Sequence, residues 1–209
     1  GARSATHLGF RGLGEFVDDH ESWGELSFLT GHGSGSELTG WAYDVGDVWS
    51  PPWAERWYFI AGFASGSGDR GTFDGKDSTF RQTGLHDNNA KFGGVTSFRY
   101  YGELLQPELA NMRISTLGIG RRFGKRESID LVFHRYSQDF ARPFLVNADI
   151  RESPNGLSRD LGWEVDVVFG SRSLERANFE LVFGRFEPGD AFPGADHAWI
   201  MKAQVRLQL

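Results

Sequence analysis

The sequence predicts an all-β protein, an antiparallel transmembrane β-barrel of about ten strands, either complete or part of a larger barrel. Composition gives the first indication. The 209 residues include 28 Gly, 18 Phe, 7 Trp and 5 Tyr, and Gly weakens helices while aromatic residues favour strands. Apolar and polar residues also alternate with a period of two along much of the chain. Short and long connections alternate between these segments, as in membrane barrels.

The N-terminal third contains four candidate strands. The clearest lies around 40–45, where Trp41, Tyr43 and Val45 alternate with small or acidic residues. Weaker alternation marks three further segments, 7–17, 23–31 and 56–66.

Two more candidate strands, 92–103 and 111–123, lie in the middle of the chain. The Gly-rich segment 67–91 precedes them and is long for a connection. When strands are counted back from the C-terminus, this segment falls at the end with the short turns. Either a strand has been miscounted or 67–91 is a long periplasmic connection.

The C-terminal half carries the strongest alternation, in 129–133, 161–169, 179–183 and 197–209. In the last of these, odd positions are mostly apolar and even positions are mostly Lys, Arg or Gln. Because successive side chains of a strand point to opposite faces, this strand has one apolar and one cationic face. The connections 124–127 and 170–176 are short, whereas 138–159 and 186–197 are longer and rich in Asp, Pro, Asn and Gly.

A soluble β-sandwich is the alternative, since its strands also alternate. Aromatic residues near the ends of the apolar faces favour the barrel, because such girdles mark membrane interfaces; these are Trp41, Trp57, Trp163, Trp199 and Tyr100. The mean hydropathy of −0.40 and the lack of an apolar run of about 18 residues exclude a transmembrane helix. We expect a single domain over residues 1–209.

The charge and the reactive residues exclude several other functions. A net charge of −6 argues against nucleic-acid binding, and the absence of Cys removes thiolate metal sites and cysteine nucleophiles. The six His residues are scattered, and no Gly-x-Ser-x-Gly motif is present. We therefore expect neither a metal nor another cofactor, and no enzymatic activity. A barrel hydrolase would need a Ser and an acid near His134.

Charged residues on the polar faces of the strands form the strongest candidate site. By alternation, Arg99 shares a face with Glu103, and Arg122 lies opposite Leu117 and Ile119. The remaining inward-facing charges are Lys202, Arg206, Asp130, Glu164, Asp166 and Glu180. Fixed cations match the carboxylates of a polyanion, and interspersed acids keep its binding weak enough for release. Internal salt bridges in a closed barrel are the alternative interpretation.

Several motifs of the chain resemble the alginate export family of outer-membrane proteins. They follow one another in the expected order over residues 80–192. They are Phe80–Asn88, Tyr101–Glu103, Pro107–Asn111, Leu131–Tyr136, Pro154–Gly156, Leu161–Asp166 and Gly184–Phe192.

The resemblance implies a monomeric barrel that exports an anionic exopolysaccharide, a polyuronate such as alginate, across the bacterial outer membrane. It also implies a constriction of lumenal arginines and acids, and the matching motifs add Arg81 and Arg185 to the candidate pore-lining residues. The expected partners are the polysaccharide, outer-membrane lipid and periplasmic export components. Members of the family are longer, so the chain is either a C-terminal portion or a reduced member. Since no nucleotide-binding loop is present, we expect passive transport.

Overall fold

A computed structural model describes residues 4–33, 35–71, 74–82, 89–174 and 176–207. Over these ranges the chain is all-β, with one short 3₁₀ turn at Pro52–Ala54. In this part of the chain no helix is long and apolar enough to cross a membrane. The strands are β1 (Ser4–Val17), β2 (His20–Gly33), β3 (Ser36–Trp49), β4 (Trp57–Gly66), β5 (Lys76–Asp77), β6 (Asn89–Ala90), β7 (Phe98–Arg99), β8 (Met112–Arg122), β9 (Glu127–Gln138), β10 (Asp160–Leu174), β11 (Ala177–Pro188) and β12 (Ala198–Leu207).

Nine long strands form one antiparallel meander in the described ranges, in the order β1-β2-β3-β4-β8-β9-β10-β11-β12. The two-residue strand β5 pairs in parallel with β3, which makes this a ten-stranded sheet. The antiparallel all-β class is therefore confirmed. Because the meander has an odd number of strands, its edges β1 and β12 run in the same direction. Joining those two edges would need a parallel pair, unlike every pairing within the meander.

The strand predicted at 92–103 is wrong. Only Phe98–Arg99 is extended there, as β7, and it pairs with β6 outside the main sheet. Phe92, Phe98 and Tyr101 are buried against the inward face of the sheet instead. The alternation in this segment is typical of a strand. Its aromatic side chains instead pack into two hydrophobic cores, to which the main sheet also contributes residues.

This correction also settles where the long connections lie. With β4 joined directly to β8, the connections 67–111, 139–159 and 189–197 all leave the same end of the sheet. We call this the long-loop end. Its opposite, the short-turn end, carries the turns at 18–19 and 123–126, the connection 50–56 and the link from β10 to β11. Of the two interpretations of 67–91, the miscounted strand is therefore confirmed, because residues 92–103 add no strand to the main sheet.

The two faces of the sheet differ as the alternation predicts. On β9, for example, Val132 is fully buried while Leu131 is 46% exposed. The outward face is apolar along the middle of each long strand, as a lipid-facing surface requires. Exposed apolar residues on it include Leu8, Phe10, Phe28, Val45, Leu117, Leu181, Phe183, Met201 and Val205.

The described parts of residues 67–111, which we call the covering segment, lie across the inward face. They supply Phe80, Leu105 and Leu109 to one hydrophobic core and Phe92 and Phe98 to another. The sheet contributes its inward side chains to both cores, including Leu29, Ile114 and Tyr136 to the first and Tyr58, Val132 and Val168 to the second. Tyr100, expected at a membrane interface, belongs to this segment and stacks on Trp23 with 5.8 Å between ring centroids.

Candidate functional site

A cavity of about 220 Å³ lies between the covering segment and the inward face of β10–β12. We call it the cationic pocket, because four basic side chains and two acidic ones line it. The charged lining residues are Arg99, Arg172, Lys202, Arg206, Glu103 and Glu180. Five of these six residues were expected to line a pore from alternation alone.

Two of the four basic residues of the pocket, Lys202 and Arg206, lie on β12. Trp199, Met201 and Val205 are exposed on its outward face, so Lys202 and Arg206 project inward. The Nη2 atom of Arg206 donates to Gln204 Oε1 at 3.2 Å. The apolar–cationic alternation of this strand thus places both cations on the same side as the covering segment.

Glu103 ties the covering segment to β12. Its carboxylate is buried and accepts from Lys202 Nζ at 2.8 Å and from the Arg99 backbone N–H at 2.9 Å. Lys202 Nζ also lies 3.3 Å from the carbonyl oxygen of Glu103. Glu103 thus neutralises Lys202, whereas the second acid of the pocket, Glu180, accepts from the hydroxyl of Thr96 at 2.5 Å.

Two other predicted lining residues, Glu164 and Asp166, lie underneath the covering segment. Glu164 accepts the backbone N–H groups of Leu104 and Leu105 at 2.7 and 3.0 Å, and the hydroxyl of Tyr136 at 3.2 Å. Asp166 accepts the backbone N–H of Glu103 at 3.2 Å. Both carboxylates are fully buried, so in this arrangement they hold the covering segment rather than face open space.

Gly102 permits the close approach of the covering segment to these acids. Its φ of +96° is disfavoured for residues with a side chain. A Cβ atom at this position would also collide with the hydroxyl of Tyr136 and with Glu164 Oε1. Any larger residue would therefore force the turn away from the sheet.

A further buried polar group lies deeper in the sheet. Asp130 accepts from the hydroxyl of Tyr58 at 2.5 Å, and Thr116 Oγ1 lies 2.9 Å from His134 Nδ1. His134 Nε2 lies 3.9 Å from Asp166 Oδ2, which is too far for a hydrogen bond. Within the described residues, the hydrogen-bond partner found for His134 is Thr116 and not a Ser.

Three predicted arginines lie outside the cationic pocket. Arg81 pairs with Asp77 in the covering segment. Arg122 lies at the short-turn end, 5.4 Å from the ring centroid of Tyr58, and its Nε donates to the carbonyl oxygen of Gly93 at 2.6 Å. Arg185 continues the alternation of β11 and is exposed on the outward face, opposite to buried Gly184 and Phe186. The alternation of β11 thus predicts the outward position of Arg185, whereas the motif placed this residue among the candidate pore-lining residues.

Sequence reasoning missed Arg172, the remaining cation of the pocket. The sequence does indicate its orientation, because Arg172 is separated by an even number of residues from Glu164 and Asp166, which face inward. The residue was assigned to the turn 170–176, whereas β10 continues to Leu174.

A second cavity, of about 250 Å³, lies on the other side of the covering segment, against β1–β3. We call it the acidic pocket; its charged residues are Glu25 and Asp44, and His7, Gln82 and Tyr101 also line it. Both carboxylate oxygens of Asp44 are used, by Trp23 Nε1 at 2.9 Å and by the hydroxyl of Tyr101 at 2.7 Å. Burial, followed by the charge of Asp44, raises the pKa of Tyr101 well above its ordinary value of 10.0.

The cationic pocket can bind a carboxylate-bearing chain weakly. Arginine presents forked donors that match a carboxylate, and the two acids in the lining oppose tight binding. Lys202 shares its charge with Glu103, with which it forms a salt bridge. Arg99, Arg172 and Arg206 complete the basic lining.

Comparison with known proteins identifies related chains. A family model described as alginate export matches residues 1–205. Over 140 residues the chain is 27% identical to the alginate production protein AlgE of Azotobacter vinelandii, which covers 63% of this chain and 28% of that protein. Over 208 residues it is 23% identical to the alginate production protein AlgE of Pseudomonas syringae pv. tomato, covering 85% of this chain and 39% of that protein. The chain thus matches less than half the length of either relative.

Proposed function

The chain belongs to the alginate export family of the outer membrane, and we propose that it forms part of a channel for an anionic exopolysaccharide. The substrate class is a polyuronate such as alginate, which carries one carboxylate on each sugar. The observation that carries the proposal is the cationic pocket, with four basic and two acidic side chains on the inward face.

The polymer passes along the wall formed by β10–β12. There, the guanidinium groups of Arg99, Arg172 and Arg206 and the ammonium group of Lys202 meet successive carboxylates. Glu103 and Glu180 keep each contact weak, since conduction requires binding that is favourable for entry yet weak enough for exit. Arg81 and Arg122, which lie outside the pocket, extend the cationic path towards the two ends of the sheet.

Transport in this proposal is passive and involves no bond cleavage. Synthesis of the polymer on the periplasmic side supplies the driving force, with periplasmic export components delivering the chain. In the described residues the meander leaves β1 and β12 as open edges. Further strands beyond these edges would complete the wall of the channel.

Planar-bilayer conductance of the full-length protein tests the proposal. We expect anion selectivity in a salt gradient, and reversible current block by oligouronates but not by neutral dextrans of equal length. Arg99→Glu combined with Arg206→Glu should abolish both the selectivity and the block. If the unaltered protein conducts without anion selectivity, and the double variant behaves identically, the polyanion channel is wrong.

A non-conducting structural or adhesion barrel is the second candidate. It is favoured by the covering segment, whose Phe80, Phe98 and Leu105 are buried on the inward face, and by the salt bridge between Lys202 and Glu103. The same bilayer recordings distinguish the two functions. A protein that inserts, migrates as a folded barrel and passes no current supports the second candidate.

A further inference from the structure

The outward face carries three arginines at the long-loop end of neighbouring strands, and we call them the arginine belt. They are Arg113 on β8, Arg135 on β9 and Arg185 on β11. Each forms an ion pair through Nη2: Arg113 with Asp139, Arg135 with Asp160 at 2.7 Å and Arg185 with Glu187 at 2.9 Å. The channel proposal uses none of these three pairs.

The strand register places Arg135 and Arg185 on either side of β10, offset by two residues along the strands, since Arg185 lies opposite Val165. Arg135 lies directly opposite Trp163 of β10, and Trp163 lies opposite Glu187 of β11. Arg185 lies opposite Trp199 of β12. Because neighbouring strands are about 4.8 Å apart, the backbones of β9 and β11 are separated by roughly 10 Å. A headgroup with two charged substituents could therefore contact Arg135 and Arg185 together.

Within each ion pair the arginine is the outer partner. The side chains of Arg113, Arg135 and Arg185 are 45%, 44% and 50% exposed, whereas those of their acids are 12%, 31% and 37% exposed. A guanidinium has five N–H donors, and each of these ion pairs is formed through Nη2. The acids thus orient the guanidinium groups, while about half of each arginine side chain stays exposed.

The short-turn end of the outward face is built differently. At this end, the guanidinium carbon of Arg121 lies 5.1 Å from the ring centroid of Trp57 and 5.2 Å from that of Phe123. No ion pair of Arg121 is found among the described residues. The outward face therefore has a row of acid-oriented guanidinium groups at one end and a ring-stacked arginine at the other.

We propose that the arginine belt binds the phosphorylated headgroups of glycolipids in the leaflet at the long-loop end. That leaflet is the external one, since long loops of outer-membrane barrels face outward. Arginine binds phosphate through paired, charge-assisted hydrogen bonds, and Trp163 and Trp199 lie at the interfacial depth where tryptophan is enriched. The proposal rests on the membrane placement of the sheet and is independent of the channel.

Binding of a defined glycolipid to the full-length protein in detergent tests this. The probes are bisphosphorylated lipid A and the same lipid with both phosphates removed, and native mass spectrometry measures the bound fraction. We expect the unaltered protein to prefer the bisphosphorylated probe. Arg135→Gln with Arg185→Gln should weaken that binding about tenfold or more, because two charge-assisted contacts are lost.

Arg121→Gln is the matched control, since it removes an outward arginine from the other end. It should leave binding unchanged. Heat-dependent electrophoretic migration checks folding; if the double glutamine variant fails to fold, the double lysine variant replaces it and should show a partial loss.

Four outcomes would overturn the proposal. Equal binding of the two probes removes the role of phosphate, and an equal loss in Arg121→Gln removes the role of the belt. Displacement of the lipid by millimolar inorganic phosphate alone would show a simple anion site rather than a headgroup site. Unchanged affinity in the folded double variant would also contradict it.

Discussion

The acidic and cationic pockets lie on opposite sides of the covering segment and use their charges in opposite ways. In the acidic pocket, Asp44 accepts from Trp23 and Tyr101, and Glu25 lies 4.0 Å from Arg11. In the cationic pocket, Glu103 is buried and paired, while the basic side chains outnumber the acids. On one side Asp44 therefore holds the covering segment through Tyr101, whereas on the other side basic residues outnumber acidic ones in the pocket lining. The positive charge that would attract a polyanion is thus greater in the cationic pocket than in the acidic pocket.

Reversing the sign of the cationic pocket should have the largest effect. Lys202→Glu with Arg206→Glu leaves two basic side chains against four acids, so the pocket would resemble the acidic one. We expect the ratio of anion to cation permeability in the full-length protein to fall about tenfold or more and to invert. Reversal potentials in a salt gradient measure this ratio. An unchanged ratio in a folded, conducting variant would show that the selectivity lies elsewhere in the barrel.

Removing the carboxylate of Glu164, which holds the covering segment, should have the next largest effect. Glu164→Ala leaves the backbone N–H groups of Leu104 and Leu105 without their acceptor, whereas the hydroxyl of Tyr136 keeps the carbonyl oxygen of Tyr101 as a partner. We expect a loss of about 3 kcal/mol in the free energy of unfolding, measured by denaturant titration, and faster proteolysis within residues 67–111. Glu180→Ala is the matched control: it removes a half-buried acid that accepts from Thr96 and should cost about 1 kcal/mol. Equal losses would show that Glu164 is no special anchor.

On the acidic side, Tyr101→Phe should have an intermediate effect. It removes a hydrogen bond to a carboxylate, which contributes about 2 kcal/mol, and should loosen the covering segment near Asp44. The folded-state pKa of Tyr101 is raised above 10.0, so the folded state holds its proton more tightly than the unfolded state. The contribution of Tyr101 to stability is therefore complete below pH 10 and is lost as the pH rises above 10.

Unfolding titrations at pH 8 and at about pH 11 should show this loss in the unaltered protein and a smaller loss in Tyr101→Phe. Tyr100→Phe provides the comparison within the same segment. A pH dependence that is identical in the unaltered protein and in Tyr101→Phe would contradict the assignment.

Neutralising the acidic pocket should have the smallest effect. Glu25→Gln removes a half-exposed carboxylate whose partner Arg11 is also exposed, and such pairs contribute about 0.5 kcal/mol or less. We expect a slight rise in anion selectivity and little change in stability, measured as for the variants above. A change as large as that of the double reversal on β12 would mean that the two pockets do not differ in function.

Much of the fold could be predicted because alternation is a local property of each strand. The positions of Lys202 and Arg206 on the inward face follow from the apolar residues between them, and Arg185 faces outward for the same reason. The resemblance of the motifs over residues 80–192 to the alginate export family is likewise confirmed by a match over residues 1–205. Residues 83–88 of the first motif lie outside the described residues.

The functions of the acids could not be predicted in this way. Alternation assigns Asp130, Glu164 and Asp166 to the inward face but does not reveal what covers it. Backbone N–H groups of residues 103–105, about 60 positions away along the chain, determine that Glu164 and Asp166 act as anchors.

The sequence by itself determined the all-β class, the two faces of each strand and the family, because each depends on residue spacing or on ordered motifs. The tertiary structure alone decided that residues 92–103 leave the sheet, that all the longest connections share one end, and that Arg99, Glu103 and Arg172 join Lys202 and Arg206 in one pocket. These features depend on how the covering segment packs across strands distant in sequence. The contacts that decide them exist only once those strands have paired.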